Sequence, residues 1–209
     1  ECPSNVDMAL MKAEFTYQYN RINGTPFRSK LFGNVERLNR LGSLLPSVTN
    51  AINSLSVTKK IMGVAEQRTP PKIAKQTLKK WFFSKGKSQD LGRDIVIKNS
   101  QALYFFADEF TNYNDVEIGT KVILLLEKLG YEVQIAPISD SGRAYMSKGM
   151  LREAKALATQ NLDKLLPIIN PNMPLIGVEP SAILSFRDEY IRMDERAKEI
   201  TPFVFTIEE

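Results

Sequence analysis

Apolar residues recur in two different patterns along this chain, and the pattern changes near residue 92. Up to that point they return every three or four residues, which is typical of amphipathic helices. This half is therefore predicted to be mainly helical, with a polar, glycine-containing link to the second half of the chain. The predicted helices are residues 5–21, 34–45 (ended by Pro46), 47–62 and 73–83.

Beyond residue 92, short apolar runs of strand length alternate with helical patterns. Such alternation is typical of a parallel sheet whose strands are joined by crossover helices. We therefore predict an α/β fold: a helical segment over residues 1–92, then a Rossmann-like three-layer domain with a mainly parallel sheet over residues 93–209. The predicted strands lie near residue 95 and at 103–107, 132–136 and 175–178, and the predicted helices at 116–129, 148–166 and 182–192. Gly130 is predicted to end the first of these helices and Ser147 to cap the second.

The composition allows a sizeable core but removes much of the usual catalytic chemistry. A chain of 209 residues with 43% hydrophobic content can bury one large core or two small ones. It has no histidine, which excludes Ser-His-Asp and Cys-His catalysis and histidine zinc sites. Its single cysteine excludes an internal disulfide and fits a reducing compartment. We therefore predict no catalytic residue and no metal site within this chain, and a cytoplasmic location.

A cluster of lysines surrounds Trp81, Phe82 and Phe83. Basic and aromatic residues interleave in this way in nucleic-acid-binding proteins. The net charge is only +4, however, and the aromatic residues fall at a spacing typical of a core. We therefore predict no nucleic-acid partner. A solvated helix face is the favoured interpretation, and peripheral docking at the inner face of a membrane, near a quinone pool, is the alternative.

Polar turns come directly after three of the predicted strands. They contain Glu109, residues 140–142 and residues 179–181. Right-handed crossovers place such turns at the same edge of a parallel sheet, which is where open α/β sheets bind ligands. The sequence therefore predicts that the three turns lie close together.

Arg143 and Arg187 lie just after two of these turns. Near helix starts, their guanidinium groups could clamp a carboxylate in bidentate fashion. Alternatively, Arg143 pairs with Glu179 or Asp188 and only fixes the turns. Both arginines are candidates for anion binding, and the alternative stays open.

The residues of the turns resemble those of a known family. The runs D-E-F-T-N-Y-N-D (108–115), S-D-S-G-R-A-Y-M-S-K-G (139–149) and V-E-P-S-A-I-L-S-F-R-D-E-Y (178–190) are similar to the cysteine-rich (CCG) domain of FAD-linked D-2-hydroxy-acid dehydrogenases and related iron-sulfur oxidoreductases. The family has cysteines where this chain has Glu109, Asp140, Ser141 and Ala182. Without thiolates, these positions are not expected to hold an iron-sulfur cluster. Either Glu109, Asp140 and Ser141 have become polar surface, which we favour, or their oxygens bind a hard cation such as Mg²⁺ or Ca²⁺; Ala182 can bind nothing.

The start of the chain resembles the same family. Cys2-Pro3 is similar to the end of a ferredoxin motif, which implies that Cys2 is an iron-sulfur ligand in the intact protein. An ordinary helix start, with Ser4 as N-cap and Asp7 three residues later, is compatible with that role. The run R-T-P-P-K-I-A-K-Q-T-L-K-K-W-F at residues 68–82 extends the resemblance almost from end to end.

The resemblance implies a C-terminal module of an FAD-linked iron-sulfur oxidoreductase that oxidises a small 2-hydroxy acid. The FAD and 4Fe-4S cofactors, and the upstream FAD and ferredoxin-like domains, are then expected in the same polypeptide. The electron acceptor is expected to be a protein or a quinone, and the fragment is not expected to be active alone. The alternative is a non-catalytic scaffold or docking domain for an electron-acceptor partner.

Overall fold

The structure, a computed structural model, describes residues 7–85 and 101–209. The first helix begins at Met8 because the side chain of Asp7 caps it, accepting a hydrogen bond from the N–H of Leu10 at 2.9 Å. Ser4, the predicted N-cap, lies outside the described residues. The helices of this segment are α1 (Met8–Asn23), α2 (Phe27–Gly33), α3 (Val35–Gly42), α4 (Pro46–Ser54), α5 (Ser56–Met62) and α6 (Leu78–Lys85).

Several predicted helices of this segment are shorter or divided in the structure. Pro46 does not end a helix but begins α4, where its missing N–H needs no partner. Leu55 is extended and separates α4 from α5. The side chain of Asn50 exchanges two 2.8 Å hydrogen bonds with the backbone of Ile73, which holds the chain there in a non-helical conformation until α6 begins at Leu78.

Within the described residues, four parallel strands form one sheet. The strands are β1 (Ala102–Phe106), β2 (Glu132–Ile135), β3 (Leu175–Gly177) and β4 (Val204–Thr206). Their order is β2-β1-β3-β4, and Phe105 in β1 pairs with Ile135 on one side and Ile176 on the other. The parallel sheet confirms the predicted α/β fold. β4 is absent from the predicted strands, and the strand predicted near residue 95 lies outside the described residues.

The remaining helices are α7 (Val116–Lys128), α8 (Arg143–Ser147), α9 (Leu151–Leu165), α10 (Pro180–Ile183) and α11 (Glu189–Met193). Gly130 has a positive φ of 92° just after α7, as predicted for a residue that ends a helix. The prediction for Ser147 is wrong: it is the last residue of α8, and its hydroxyl donates to the carbonyl of Ala144. Gly149, at φ 64°, then turns the chain towards α9. The predicted helix over residues 182–192 is likewise divided, by a 3₁₀ turn between α10 and α11.

Apolar side chains cover both faces of the sheet. One cluster includes Phe106, Leu162 and Phe186, and the other includes Leu78 and Phe105. The neighbours Phe105 and Phe106 serve different clusters because successive side chains of a strand point to opposite faces. Helices on both faces confirm the predicted three-layer arrangement. Leu78 belongs to α6, so the helical segment packs directly on the sheet, and the predicted domain boundary at residue 92 stays a prediction.

α1 passes close to the link between α8 and α9. The side-chain amide of Asn20 donates to the carbonyl of Lys148 at 3.1 Å. A Cβ at Gly149 would lie 2.7 Å from the backbone nitrogen of Tyr17. The position of α1 therefore requires glycine at residue 149.

In the ranges 7–85 and 101–209, no helix combines the length and the apolar character needed to cross a bilayer.

Candidate functional site

The turns after β1 and β2 meet, as predicted, at the carboxyl edge of the sheet. Glu109 lies after β1, and Asp140 and Ser141 lie after β2. Ser141 donates its N–H to Oε2 of Glu109 at 3.0 Å and its hydroxyl to Oε1 at 2.7 Å. Both Glu109 and Ser141 are completely buried. The interpretation of these two residues as polar surface is therefore wrong, because each satisfies the hydrogen-bonding groups of the other inside the protein.

Tyr190 of α11 extends this contact to a third part of the edge. Its hydroxyl donates to the carbonyl of Ser141 at 2.9 Å. The side-chain amide of Asn161, on α9, donates at 2.8 Å both to that hydroxyl and to the carbonyl of Asp140. Tyr190 and Asn161 are also buried. The four side chains of Glu109, Ser141, Tyr190 and Asn161, which we call the edge network, thus connect both turns to α9 and α11.

In the third predicted turn, residue 182 has no side-chain group that could bind a ligand. Ala182 is buried within the apolar cluster that contains Phe186. Glu179 precedes it and accepts a 2.6 Å hydrogen bond from the hydroxyl of Ser181. This turn therefore contributes packing, together with a local hydrogen bond, to the edge of the sheet.

Burial shifts the pKa of several groups near the edge. Burial, reinforced by the charge of Asp140, raises the pKa of Glu109 to about 8. Burial also raises the pKa of Asp140 to about 6. Lys79 is affected in the opposite sense: burial lowers its pKa to about 8. Burial therefore favours the protonated form of Glu109.

The helical segment covers this edge through α3, which sequence reasoning missed. The side-chain amide of Asn39 donates to the carbonyl of Glu109 at 3.1 Å and to Oδ1 of Asn114 at 3.0 Å. The carboxylate of Glu36 accepts a 3.1 Å hydrogen bond from the hydroxyl of Tyr113. No local pattern could connect α3 to a turn 70 residues later. The only sequence signal is that Glu36 and Asn39 share one helix face.

A cavity of about 530 Å³ lies between α3 and α9, next to the edge network. Arg37 and Arg40 line it from α3, Glu153 from α9, and Asp140 and Tyr145 from the turn and α8. Its volume is within the range of small-molecule sites. It offers guanidinium donors and carboxylate acceptors to a small polar molecule.

Both arginines that were candidates for anion binding are paired with carboxylates of the chain. Arg143 donates to Glu189 at 2.8 Å, so its partner is neither Glu179 nor Asp188. Arg187 donates to both carboxylate oxygens of Glu209 at 2.8 Å. Anion binding by either arginine stays a prediction, and it would require displacement of these glutamates.

The residues at the family's cysteine positions do not fit an iron-sulfur cluster. They supply a buried carboxyl group, a carboxylate, a hydroxyl and a methyl group, whereas cluster irons take thiolates. In the part of the chain that the structure describes, no three acidic, cysteine or histidine side chains are grouped to hold a metal ion. Cys2 lies outside the described residues, and its role as a cluster ligand stays a prediction.

Comparison with known proteins gives relatives over nearly the whole chain. It is 25% identical over 197 residues to a D-2-hydroxyglutarate dehydrogenase of Haemophilus influenzae, and 24% over 198 residues to one of Escherichia coli; each match covers 91% of this chain and 19% of the relative. It is also 23% identical over 196 residues to a subunit of the anaerobic glycerol-3-phosphate dehydrogenase of Escherichia coli, a match that covers 90% of this chain and 47% of that protein. No protein-family model and no solved structure matches the chain.

These relatives confirm the resemblance to 2-hydroxy-acid dehydrogenases and related oxidoreductases. The chain spans about a fifth of the length of the D-2-hydroxyglutarate dehydrogenases that it matches. It is thus related to one part of much longer oxidoreductases.

Proposed function

We propose that this chain is the C-terminal module of an FAD-linked iron-sulfur oxidoreductase that oxidises a small 2-hydroxy acid. The observation that carries the proposal is the similarity to D-2-hydroxyglutarate dehydrogenases over 91% of the chain. In this proposal FAD and the 4Fe-4S centres, one of them completed by Cys2, belong to the intact protein. The described α/β part helps to form the active site or the route by which electrons leave.

The geometry of the carboxyl edge supports a role next to an active site. The edge network fixes the turn that carries Asp140, and Asp140 lines the 530 Å³ cavity together with Arg37 and Arg40. Arg143 and Arg187 lie beyond it, one at the start of α8 and the other between α10 and α11. Guanidinium groups close to a rigid edge suit the orientation of a carboxylate substrate or of a facing acidic surface.

The test uses the intact polypeptide, a version that ends near residue 93, and a panel of 2-hydroxy acids with an artificial electron-accepting dye. Removal of the α/β part should abolish turnover while flavin stays bound. Arg143→Ala and Arg187→Ala should each lower turnover by about tenfold or more, since a bidentate contact contributes roughly 1.5–3 kcal/mol. Lys121→Ala, on the exposed face of α7, is the matched control. Unchanged kinetics in the truncated protein would contradict the proposal.

An apolar stripe on α1 favours the second candidate function, a docking domain for an electron-acceptor partner. Its side chains recur at intervals of three and four residues, on the face of α1 opposite the one that contacts residues 148 and 149. Each is more than half exposed, which is unusual for a set of neighbouring large apolar residues. The stripe consists of Met8, Met11, Phe15, Tyr19 and Ile22.

If α1 is a docking surface, substitutions in this stripe should affect electron transfer to the natural acceptor but not dye reduction. Phe15→Ser and Ile22→Ser should leave dye reduction unchanged and should lower electron transfer to the natural acceptor, because each removes apolar area from the contact. Ile118→Ser, at a similarly exposed position on α7, is the control. Equal rates of natural-acceptor reduction in the stripe variants and the control would reject the docking role of α1.

A further inference from the structure

The edge network is closed and fully satisfied without any added ligand. Both carboxyl oxygens of Glu109 are occupied by Ser141, at 3.0 Å and 2.7 Å. The backbone carbonyls of Asp140 and Ser141 are occupied by Asn161 and Tyr190. Within the described ranges, no buried side-chain nitrogen or oxygen lacks a hydrogen-bond partner. No metal ion is therefore needed to satisfy the buried oxygens of Glu109.

The network joins positions that are far apart in the chain. Glu109 and Ser141 are 32 residues apart, and Ser141 and Tyr190 are 49 residues apart. Contacts over such separations restrict the chain strongly, because each closes a long loop. Inside a protein, fully satisfied hydrogen bonds of this kind specify one arrangement of the groups that they connect.

We infer that the edge network, centred on Glu109, is a metal-independent tie that holds the turns after β1 and β2 against α9 and α11 and positions Asp140 at the neighbouring cavity. A methyl group at residue 182 completes the edge by packing rather than by ligation. The edge accordingly has no electron-storing centre. Any electron route past the described α/β part then uses redox centres held elsewhere in the oxidoreductase, a statement that rests on the proposed function.

Substitutions at Glu109 test the tie directly. Glu109→Gln keeps an acceptor for the Ser141 N–H, and its amide N–H can replace the bond that the Ser141 hydroxyl donates to Glu109 by one that this hydroxyl accepts; the ratio of folded to unfolded protein should stay within about tenfold of wild type. Glu109→Ala leaves both Ser141 donors without partners in a buried site, and should lower that ratio on the order of a hundredfold. Glu117→Ala, at an exposed position in the first turn of α7, is the matched control.

A double-mutant cycle tests whether Glu109 and Ser141 stabilise the protein through their mutual hydrogen bonds or only through packing. Urea denaturation measures the unfolding equilibrium constant of each variant. The effect of Glu109→Ala and Ser141→Ala together should differ by about tenfold from the product of their separate effects, because each substitution removes the partner of the other. Additive effects, or a Glu109→Ala variant as stable as the control, would overturn the inference. If Glu109→Ala does not fold, Tyr190→Phe, which removes one hydroxyl, should still be less stable than Tyr104→Phe by about tenfold. Equal stability of these two variants would also overturn it.

Iron reconstitution tests the absence of a redox centre. The 209-residue chain carrying Cys2→Ala has no thiolate and is incubated anaerobically with ferrous iron and sulfide, then desalted. We expect no stoichiometric iron and no sulfur-to-iron charge-transfer absorption. Stoichiometric iron that disappears in the additional Glu109→Ala variant would refute the inference. Neither assay uses flavin or a hydroxy acid, so their failure is distinct from a failure of the proposed function.

Discussion

The buried carboxyl group of Glu109 makes the stability of the protein depend on pH. The pKa of Glu109 rises from 4.5 to about 8 on folding, because of burial and the nearby charge of Asp140. Between these pH values the folded protein holds a proton that the unfolded chain releases. The free energy of unfolding should therefore fall as the pH rises from about 4.5 to about 8, by a few kcal/mol. The raised pKa of Asp140 acts in the same direction at lower pH.

Urea denaturation at a series of pH values measures this fall. Glu109→Gln should remove most of it, since glutamine does not titrate. Above pH 8 the lowered pKa of Lys79 has the opposite effect, because the unfolded chain then binds the extra proton and stability rises with pH. A decline of equal size in wild type and Glu109→Gln would show that other groups cause it.

At the scale of single residues, the sequence predicts which turns matter but not what their residues do. Glu109 and Ser141 stand in polar runs, which normally indicate surface. They are buried because each supplies the hydrogen-bonding groups that the other needs, across 32 residues of chain. A hydrogen-bonded pair so far apart in the chain produces no periodic pattern in the sequence. The ion pair between Arg187 and Glu209 has no sequence signal for the same reason.

At the scale of elements, the contact of α1 with Gly149 makes a specific prediction. Gly149→Ala should destabilise the protein by about 2 kcal/mol or more, since the new Cβ combines a positive φ with a 2.7 Å approach to the backbone of Tyr17. Gly63→Ala is the matched control, because Gly63 has almost the same φ, of 65°, but the nearest atoms belong to the flexible side chain of Arg28, at 3.2 Å or more. Thermal unfolding compares the two, and equal losses would show that backbone strain alone decides the effect.

Elements with a sustained pattern were predictable, and those bounded by distant contacts were not. The helix predicted over residues 116–129 is α7, and three predicted strands match β1, β2 and β3 to within a residue at each end. Each has an apolar pattern that its own residues define. The start of α6, in contrast, depends on the bonds between Asn50 and Ile73, and the start of α9 comes after a turn at Gly149. Those boundaries are set by tertiary structure.

At the scale of the whole molecule, the two halves differ in how completely they bury apolar residues. Of the exposed large apolar side chains in the described ranges, only Phe110, Ile118, Leu125 and Leu129 lie beyond residue 100, and all the others belong to the helical segment. The α/β part therefore buries most of its apolar surface, some of it beneath α6 of the helical segment. The helical segment presents the surface on which a further protein contact is expected.

The general architecture can be predicted from the sequence because few topologies suit alternating strands and helices. Right-handed crossovers bring the turns to one edge, and the structure has them there. The position of α3 over that edge could not be predicted in the same way. It depends on Asn39 reaching Glu109, a contact between the two halves of the chain.

A domain whose turns are tied by hydrogen bonds is complete as soon as its chain has folded. Domains held by metal ions reach their native state only after delivery of the metal, so their maturation depends on its supply. The bonds between Glu109, Ser141, Tyr190 and Asn161 need no such delivery. Folding of this α/β part is accordingly expected not to require iron, and in the proposed oxidoreductase it would offer a finished surface on which slower, cofactor-loaded regions assemble.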